Sequence, residues 1–198
     1  MEGGMWRYAV CASISGALTL AGCANHVPGE PISATYTRYT CQARSATGAT
    51  YTQFRANGQP FSVSVPQLPG WRSSPTALRE NQLALTKTIG DARSYVTMSV
   101  LRPQTDRDKA FKQLGELAKF DSSVAIVEDE TVDVCGLEAS RLVGIAEDRG
   151  LRFEYLNLAY SFDGNYYPLQ LRGQMAICDF PFFGVEIETM FRHLQIDP

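Results

Sequence analysis

Basic clusters, short cysteine pairs, histidines and long hydrophobic runs are all scarce in this sequence, and each scarcity removes a class of function. The 198 residues carry 18 Lys and Arg against 21 Asp and Glu, a formal net charge of −3, with no Lys/Arg cluster. A nucleic-acid binder shows a basic surplus or stripe, so nucleic acid is not an expected partner. The two histidines, His26 and His193, form no H-x-x-x-H pair, and the five cysteines include no C-x-x-C. Zinc sites need such spacings, and no metal is expected. G-x-S-x-G, G-x-G-x-x-G and G-x-x-x-x-G-K are absent, which leaves no recognisable activated nucleophile or phosphate cradle. No catalytic residue and no cofactor are expected.

The one apolar run is short. From Tyr8 to Leu20 nothing is charged, which falls below the roughly 20 apolar residues that span a bilayer. The run ends at Leu20-Ala21-Gly22-Cys23 and is followed by the turn-rich N-H-V-P-G-E-P-I-S-A-T, unlike a core helix with partners on either side. Arg7 is its only basic forerunner, partly offset by Glu2, and Met5-Trp6-Arg7 makes a more ordinary start than Met1.

Leu20-Ala21-Gly22-Cys23 resembles the lipobox of bacterial lipoproteins. That resemblance implies a signal peptide over 1–22, acylation of Cys23 by diacylglyceryl and palmitate chains, and Cys23 as the mature N-terminus. Each buried methylene contributes about 0.8 kcal/mol, and two or more chains anchor stably where one does not. Membrane lipid is therefore an expected partner, through acylated Cys23, and the expected location is the extracytoplasmic face of the cell membrane.

Residues 23–50, rich in Pro, Gly, Ser, Thr and Ala, read as a flexible tether, and 51–198 as one domain. Y-T-Q-F-R and F-S-V-S-V-P, separated by Asn57-Gly58-Gln59-Pro60, predict a hairpin whose second arm is half-buried through Phe61, Val63 and Val65. Trp71 lies in a following loop and is expected to cap the core. Two further strands, Q-L-A-L-T-K-T-I and S-Y-V-T-M-S-V-L-R, flank a turn at Gly90-Asp91. Thr105-Asp106-Arg107-Asp108 resembles a capping box and opens a helix with Phe111, Leu114, Leu117 and Ala118 at helical spacing.

Strand periodicity returns in V-A-I-V, T-V-D-V, A-S-R-L-V-G-I-A, L-R-F-E-Y-L-N-L-A-Y-S-F and Y-Y-P-L-Q-L-R-G, whose short connections predict an antiparallel meander. Glu128-Asp129-Glu130 is placed in a strand connection and Asp106/Asp108 at a helix start, both as solvated charge. After a loop containing Pro181, Ile187, Met190, Phe191 and Leu194 mark a closing helix, with His193 near its terminal carbonyls. The fold class is α+β: an antiparallel sheet packed with a mid-chain and a C-terminal helix.

The lipobox, the polar tether, F-S-V-S-V-P-Q-L-P-G-W, the mid-chain helix, C-G-L-E-A-S-R-L-V-G and the C-terminal helix together resemble the LpqN/LpqT family of actinobacterial, chiefly mycobacterial, lipoproteins. The resemblance implies a PsbP-like fold, no cofactor, and a cell-envelope role that supports export of envelope lipids. The expected function is that of a lipid-anchored, non-enzymatic protein binding an envelope protein or an amphipathic lipid or glycolipid. The competing expectation is an extracytoplasmic hydrolase whose carboxylates meet only in the fold.

Outside the cytoplasm a disulfide is permitted, and Cys41, Cys135 and Cys178 remain once Cys11 leaves with the signal and Cys23 is acylated. The expected strand order sets Cys135 and Cys178 at opposite edges, so the predicted bridge joins Cys41 to Cys135 or Cys178. Aromatics are the remaining distinctive feature. Tyr166 and Tyr167 cannot share a strand face, and F-P-F-F, with Phe182 and Phe183, is a heavy apolar load for a loop. These four are the candidate ligand or partner contacts.

Overall fold

The computed structural model describes residues 51–55, 59–74, 83–120, 123–134 and 136–197. The expected signal peptide, lipobox and tether, with Cys23, Cys41 and Cys135, lie outside the described residues.

The described residues begin with the expected hairpin, β1 (Tyr51–Phe54) against β2 (Ser62–Pro66), with Tyr51 opposite Pro66 and Phe54 opposite Val63. Phe61, Val63 and Val65 point into the core as alternation requires, but every residue of β2 is buried. β2 is not an edge: it pairs on its other side with β10 (Gln195–Asp197), so it is the middle of a three-stranded sheet. Buried Ser62 Oγ accepts a hydrogen bond from Gln53 and donates to the Asp197 carbonyl, which meets the rule that buried hydroxyls be paired.

Seven further strands form the main sheet. They are β3 (Arg72–Ser73), β4 (Leu83–Ile89), β5 (Ala92–Val100), β6 (Ala125–Val134), β7 (Leu137–Ala146), β8 (Leu151–Phe162) and β9 (Asn165–Ala176). Their order, β3-β4-β5-β9-β8-β7-β6, is antiparallel throughout. The predicted meander is present as β6 to β9, and a second one, β3 to β5, joins it where β5 meets β9.

Two expectations change here. V-A-I-V and T-V-D-V are one strand, β6, whose register shifts between Ile126 and Glu128; Glu128-Asp129-Glu130 is therefore strand and not connection. An exposed edge tolerates such a charged centre, and charge there discourages further pairing.

Helix α1 (Arg107–Ala118) carries the chain from β5 to the far edge at β6, packing across β8 and β9 on the way. Its N-cap is Asp106 rather than Thr105, with Asp106 Oδ1 accepting from the Lys109 N–H at 2.9 Å. The buried stripe is Ala110, Leu114 and Ala118, whereas Leu117 is exposed and Phe111 lies partly buried under the Arg107 guanidinium. Small residues suit a helix lying close on a sheet.

Helix α2 (Phe180–Arg192) covers the other face. Here too the sequence reading shifts: F-P-F-F is no loop but the first turn of α2, with Pro181 where its missing N–H costs nothing. Phe183, Ile187, Met190 and Phe191 are fully or almost fully buried, each side chain contributing about 1.5–3 kcal/mol. Close approach depends on Gly173 in β9, where an added Cβ would lie 2.7 Å from Ile187 Cγ2. The main core lies between this face, α2 and the small sheet, with Phe61 edge-on to Tyr160 and Tyr167. Trp71 closes it at one side, as expected.

Candidate functional site

Alternation along β6, β7 and β8 sends Glu128, Glu130, Arg141, Arg152 and Glu154 to the α2 face, because Glu130 pairs with Arg141 and Arg141 with Leu156. The result is a cluster of charges beside the apolar core. Arg141 Nη1 donates to Glu128 at 3.1 Å and to Glu130 at 3.0 Å, and its Nη2 donates to Glu154 at 2.9 Å. Arg152 meets the other Glu154 oxygen at 2.7 Å and lies 4.2 Å from the Phe180 ring centroid.

Arg141, Arg152 and Glu154 are all buried, and burying an ion costs several kcal/mol unless partners meet it. Burial pushes the Glu154 carboxyl above the usual glutamate range, against the downward pull of Arg152 and Arg141. Chemically the arrangement is a clasp: the three acids meet around one guanidinium and not across an open gap. This convergence was missed in the sequence, although R-x-E within L-R-F-E-Y puts two charges at positions that strand alternation assigns to the interior.

On α2 itself, Glu186 takes the Trp71 indole N–H at 2.7 Å and Lys87 Nζ at 2.6 and 2.9 Å, tying the helix to the loop before β3 and to β4. Phe182 and Val185, one turn apart, face outward with 59% and 74% of their surface exposed.

The four aromatic candidates do not come together. Tyr167 faces the core against Phe61, with ring centroids 5.2 Å apart. Tyr166 faces the other way, and its backbone pairs with Gln104 through bonds of 2.7 and 2.8 Å. Phe182 is exposed, while Phe183, expected beside it on a binding face, is wholly buried and edge-on to Trp71. Helical spacing separates 182 from 183 by about 100°, a distinction lost when the segment is read as a loop.

Cys178 is half-buried just after β9, its Sγ 3.9 Å from Asp179 Oδ1. It lies at the end of the sheet where Ala146, Leu151 and Ala176 align, whereas Val134 and Gly136 belong to the opposite end of β7. His193 is the C-cap of α2, its backbone N–H donating to the Thr189 carbonyl. Among the described residues no cluster of three or more His, Cys, Asp or Glu could hold a metal, and no helix is long and apolar enough to cross a membrane.

Comparison with solved structures brings out LpqN of Mycobacterium tuberculosis, a protein described as involved in cell envelope biogenesis. The crystal structure of LpqN superposes with a TM-score of 0.59 at 15% sequence identity, covering 82% of this chain and 100% of its own. The fold is LpqN-like. Mog1p, a Ran-binding protein of Saccharomyces cerevisiae, gives a TM-score of 0.38 at 10% identity over 74% of this chain and 95% of its own. No protein-family model and no curated protein sequence matches the chain. The likeness to LpqN thus lies in three-dimensional arrangement: antiparallel sheets and, among the described residues, two α-helices.

Proposed function

We propose that this chain is a lipid-anchored, non-enzymatic protein of the cell envelope that binds an envelope protein or an amphipathic lipid or glycolipid, in support of envelope lipid export. The observation that carries the reading is the LpqN-like fold, whose solved example is described as involved in cell envelope biogenesis. Leu20-Ala21-Gly22-Cys23 ahead of that fold supports the anchor. The competing hydrolase reading has less support, because Glu128, Glu130 and Glu154 all spend their charge on Arg141.

The test is intact-mass analysis of protein extracted from membranes, with mass spectrometry of co-purifying lipids and proteins. Expected are a chain beginning at an acylated Cys23, loss of maturation in Cys23→Ala, and a reproducible envelope lipid or protein companion. An unmodified chain retaining residues 1–22 sinks the anchor, and robust esterase or glycosidase turnover overturns the binding role.

A further inference from the structure

On the face of the large sheet that carries α1, one arginine lacks what its counterparts elsewhere have. Arg107, Arg141, Arg152 and Arg192 are each at least partly buried, and each meets a carboxylate. Arg172, also partly buried, forms no ion pair with a described residue. It sits on β9, the central strand of the seven, opposite Thr97 of β5 and Tyr155 of β8. Its hydrogen bonding is thin: Nη2 donates to Gln174 Oε1 at 3.1 Å, and Nε is buried with no partner. Most of the guanidinium's donor capacity is unspent. What holds it in place is the Phe153 ring, whose centroid lies 4.6 Å from Cζ. A cation–π contact fixes the charge without neutralising it.

Strand alternation brings Arg93, Tyr95 and Thr97 of β5 to the same face, because Val96 and Met98 alternate with them into the main core. Tyr95 is directly opposite Gln174, and its hydroxyl oxygen accepts from Arg93 Nη1 at 3.3 Å. That leaves the phenol proton to donate. Gln174 is in the same condition: Arg172 takes its side-chain carbonyl, so the amide that remains is a donor. Arg93, like Arg172, forms no ion pair with a described residue. The patch therefore presents positive charge and N–H or O–H donors, its carbonyl and phenol oxygens being already occupied. It is also open, for Tyr95, Thr97, Arg172 and Gln174 are half-buried and Arg93 is exposed. Farther along the face Asn157 and Gln170 are buried and bonded to each other at 2.8 Å.

We infer that Arg172 is the centre of an anion site that takes a phosphoryl group, with Arg93 at its rim and Tyr95 and Gln174 as neutral donors. Two guanidiniums on one face with no carboxylate between them repel, and an anion seated among them turns that repulsion into attraction. A carboxylate offers two oxygens in one plane. Donors arriving from two neighbouring strands suit the three terminal oxygens of a phosphoryl group, which a guanidinium also matches bidentately. The clasp on the other face does not compete, since its arginines are matched by acids. The inference goes beyond the reading above and does not depend on the anchor: the phosphoryl group belongs to free phosphate or to the headgroup of an acidic amphiphile.

The test is isothermal titration calorimetry on the full chain in dodecyl maltoside, with inorganic phosphate and dihexanoylphosphatidic acid as separate probes. Wild type should bind, and Arg172→Gln should weaken binding roughly tenfold or more, the loss expected for charge-assisted hydrogen bonds. Arg93→Gln and Tyr95→Phe, which remove an exposed charge and a single hydroxyl, should each weaken it several-fold at an unchanged melting temperature. They decide the matter if Arg172→Gln does not fold. Equal affinity for the two probes identifies free phosphate as the ligand, and much tighter binding of the amphiphile identifies a headgroup. Absence of binding by both probes at millimolar concentration overturns the site. So does binding that a folded Arg172→Gln, or Arg93→Gln and Tyr95→Phe together, leave unchanged, or that Arg55→Gln, an exposed position beside β1, weakens as much. Each of these failures leaves the anchored reading untouched, because that reading stands on Cys23.

Discussion

Adjacent residues in this protein have opposite fates, and the sharpest pair is Phe182 and Phe183. Phe183 is wholly enclosed and Phe182 is more exposed than buried. Phe183→Ala should therefore cost about 3–5 kcal/mol, transfer and cavity terms together, whereas Phe182→Ala should stay within about 0.5 kcal/mol; thermal and urea melts of the two variants check this. Glu154 gives a prediction with a pH signature. Its carboxyl is raised by burial in the folded state, so the fold binds that proton more tightly than the unfolded chain does. The resulting stabilisation is full at pH below the ordinary glutamate value and is lost as pH rises through the raised one. Glu154→Gln cannot titrate, so the stability of wild type relative to this variant should fall from about pH 4, the ordinary glutamate range, toward neutrality. A difference that grows with pH would mean that Arg141 and Arg152 outweigh burial.

Elements were legible in the sequence where one period ran without interruption. The strands β4, β5, β7, β8 and β9 follow from alternation or β-rich runs, and their turns from Gly90, Gly150 and Asp163-Gly164, all with positive φ. Reading failed where composition and environment part company. Three acids in a row look like a connection, yet an edge strand with Arg141 beneath it accepts them. Pro181 looks like a loop, yet it opens α2. The last strand, β10, has three residues and no pattern of its own; only its pairing with β2 makes it a strand. Of the candidate site, the aromatic load at 180–183 was visible, but which ring faces out depends on helix phase, and the ion clasp needs three strands in register. The contact between α2 and the sheet has its own test. Gly173→Ala puts a methyl 2.7 Å from Ile187, an overpacking expected to cost about 1–3 kcal/mol. Ile187→Ala made in the same chain should recover part of that loss, and a double-mutant cycle by urea denaturation should show the two sites coupled.

At the scale of the molecule, the strand order bears on the thiols. Val134 and Gly136, which flank Cys135, and Ala176, near Cys178, lie at opposite ends of ten-residue strand β7, a separation of about 30 Å at 3.3 Å per residue. A bridge needs Cα atoms within about 7 Å, so non-reducing peptide mapping should yield no Cys135–Cys178 peptide, and any bridge to Cys178 should come from Cys41. The seam between β5 and β9 reaches further. Val100 pairs with Leu169, and Ser64 with Gln195, so both sheets are completed by residues from late in the chain. Such non-local pairing has a high entropic cost of closure and slows folding. A chain emerging N-terminus first holds β5 with an open edge until β9 arrives and β2 with an open edge until β10 arrives, and exposed edges invite pairing with other chains. The final three strand residues, Gln195 to Asp197, thus act as a latch in time: until they arrive, one edge of β2 stays open.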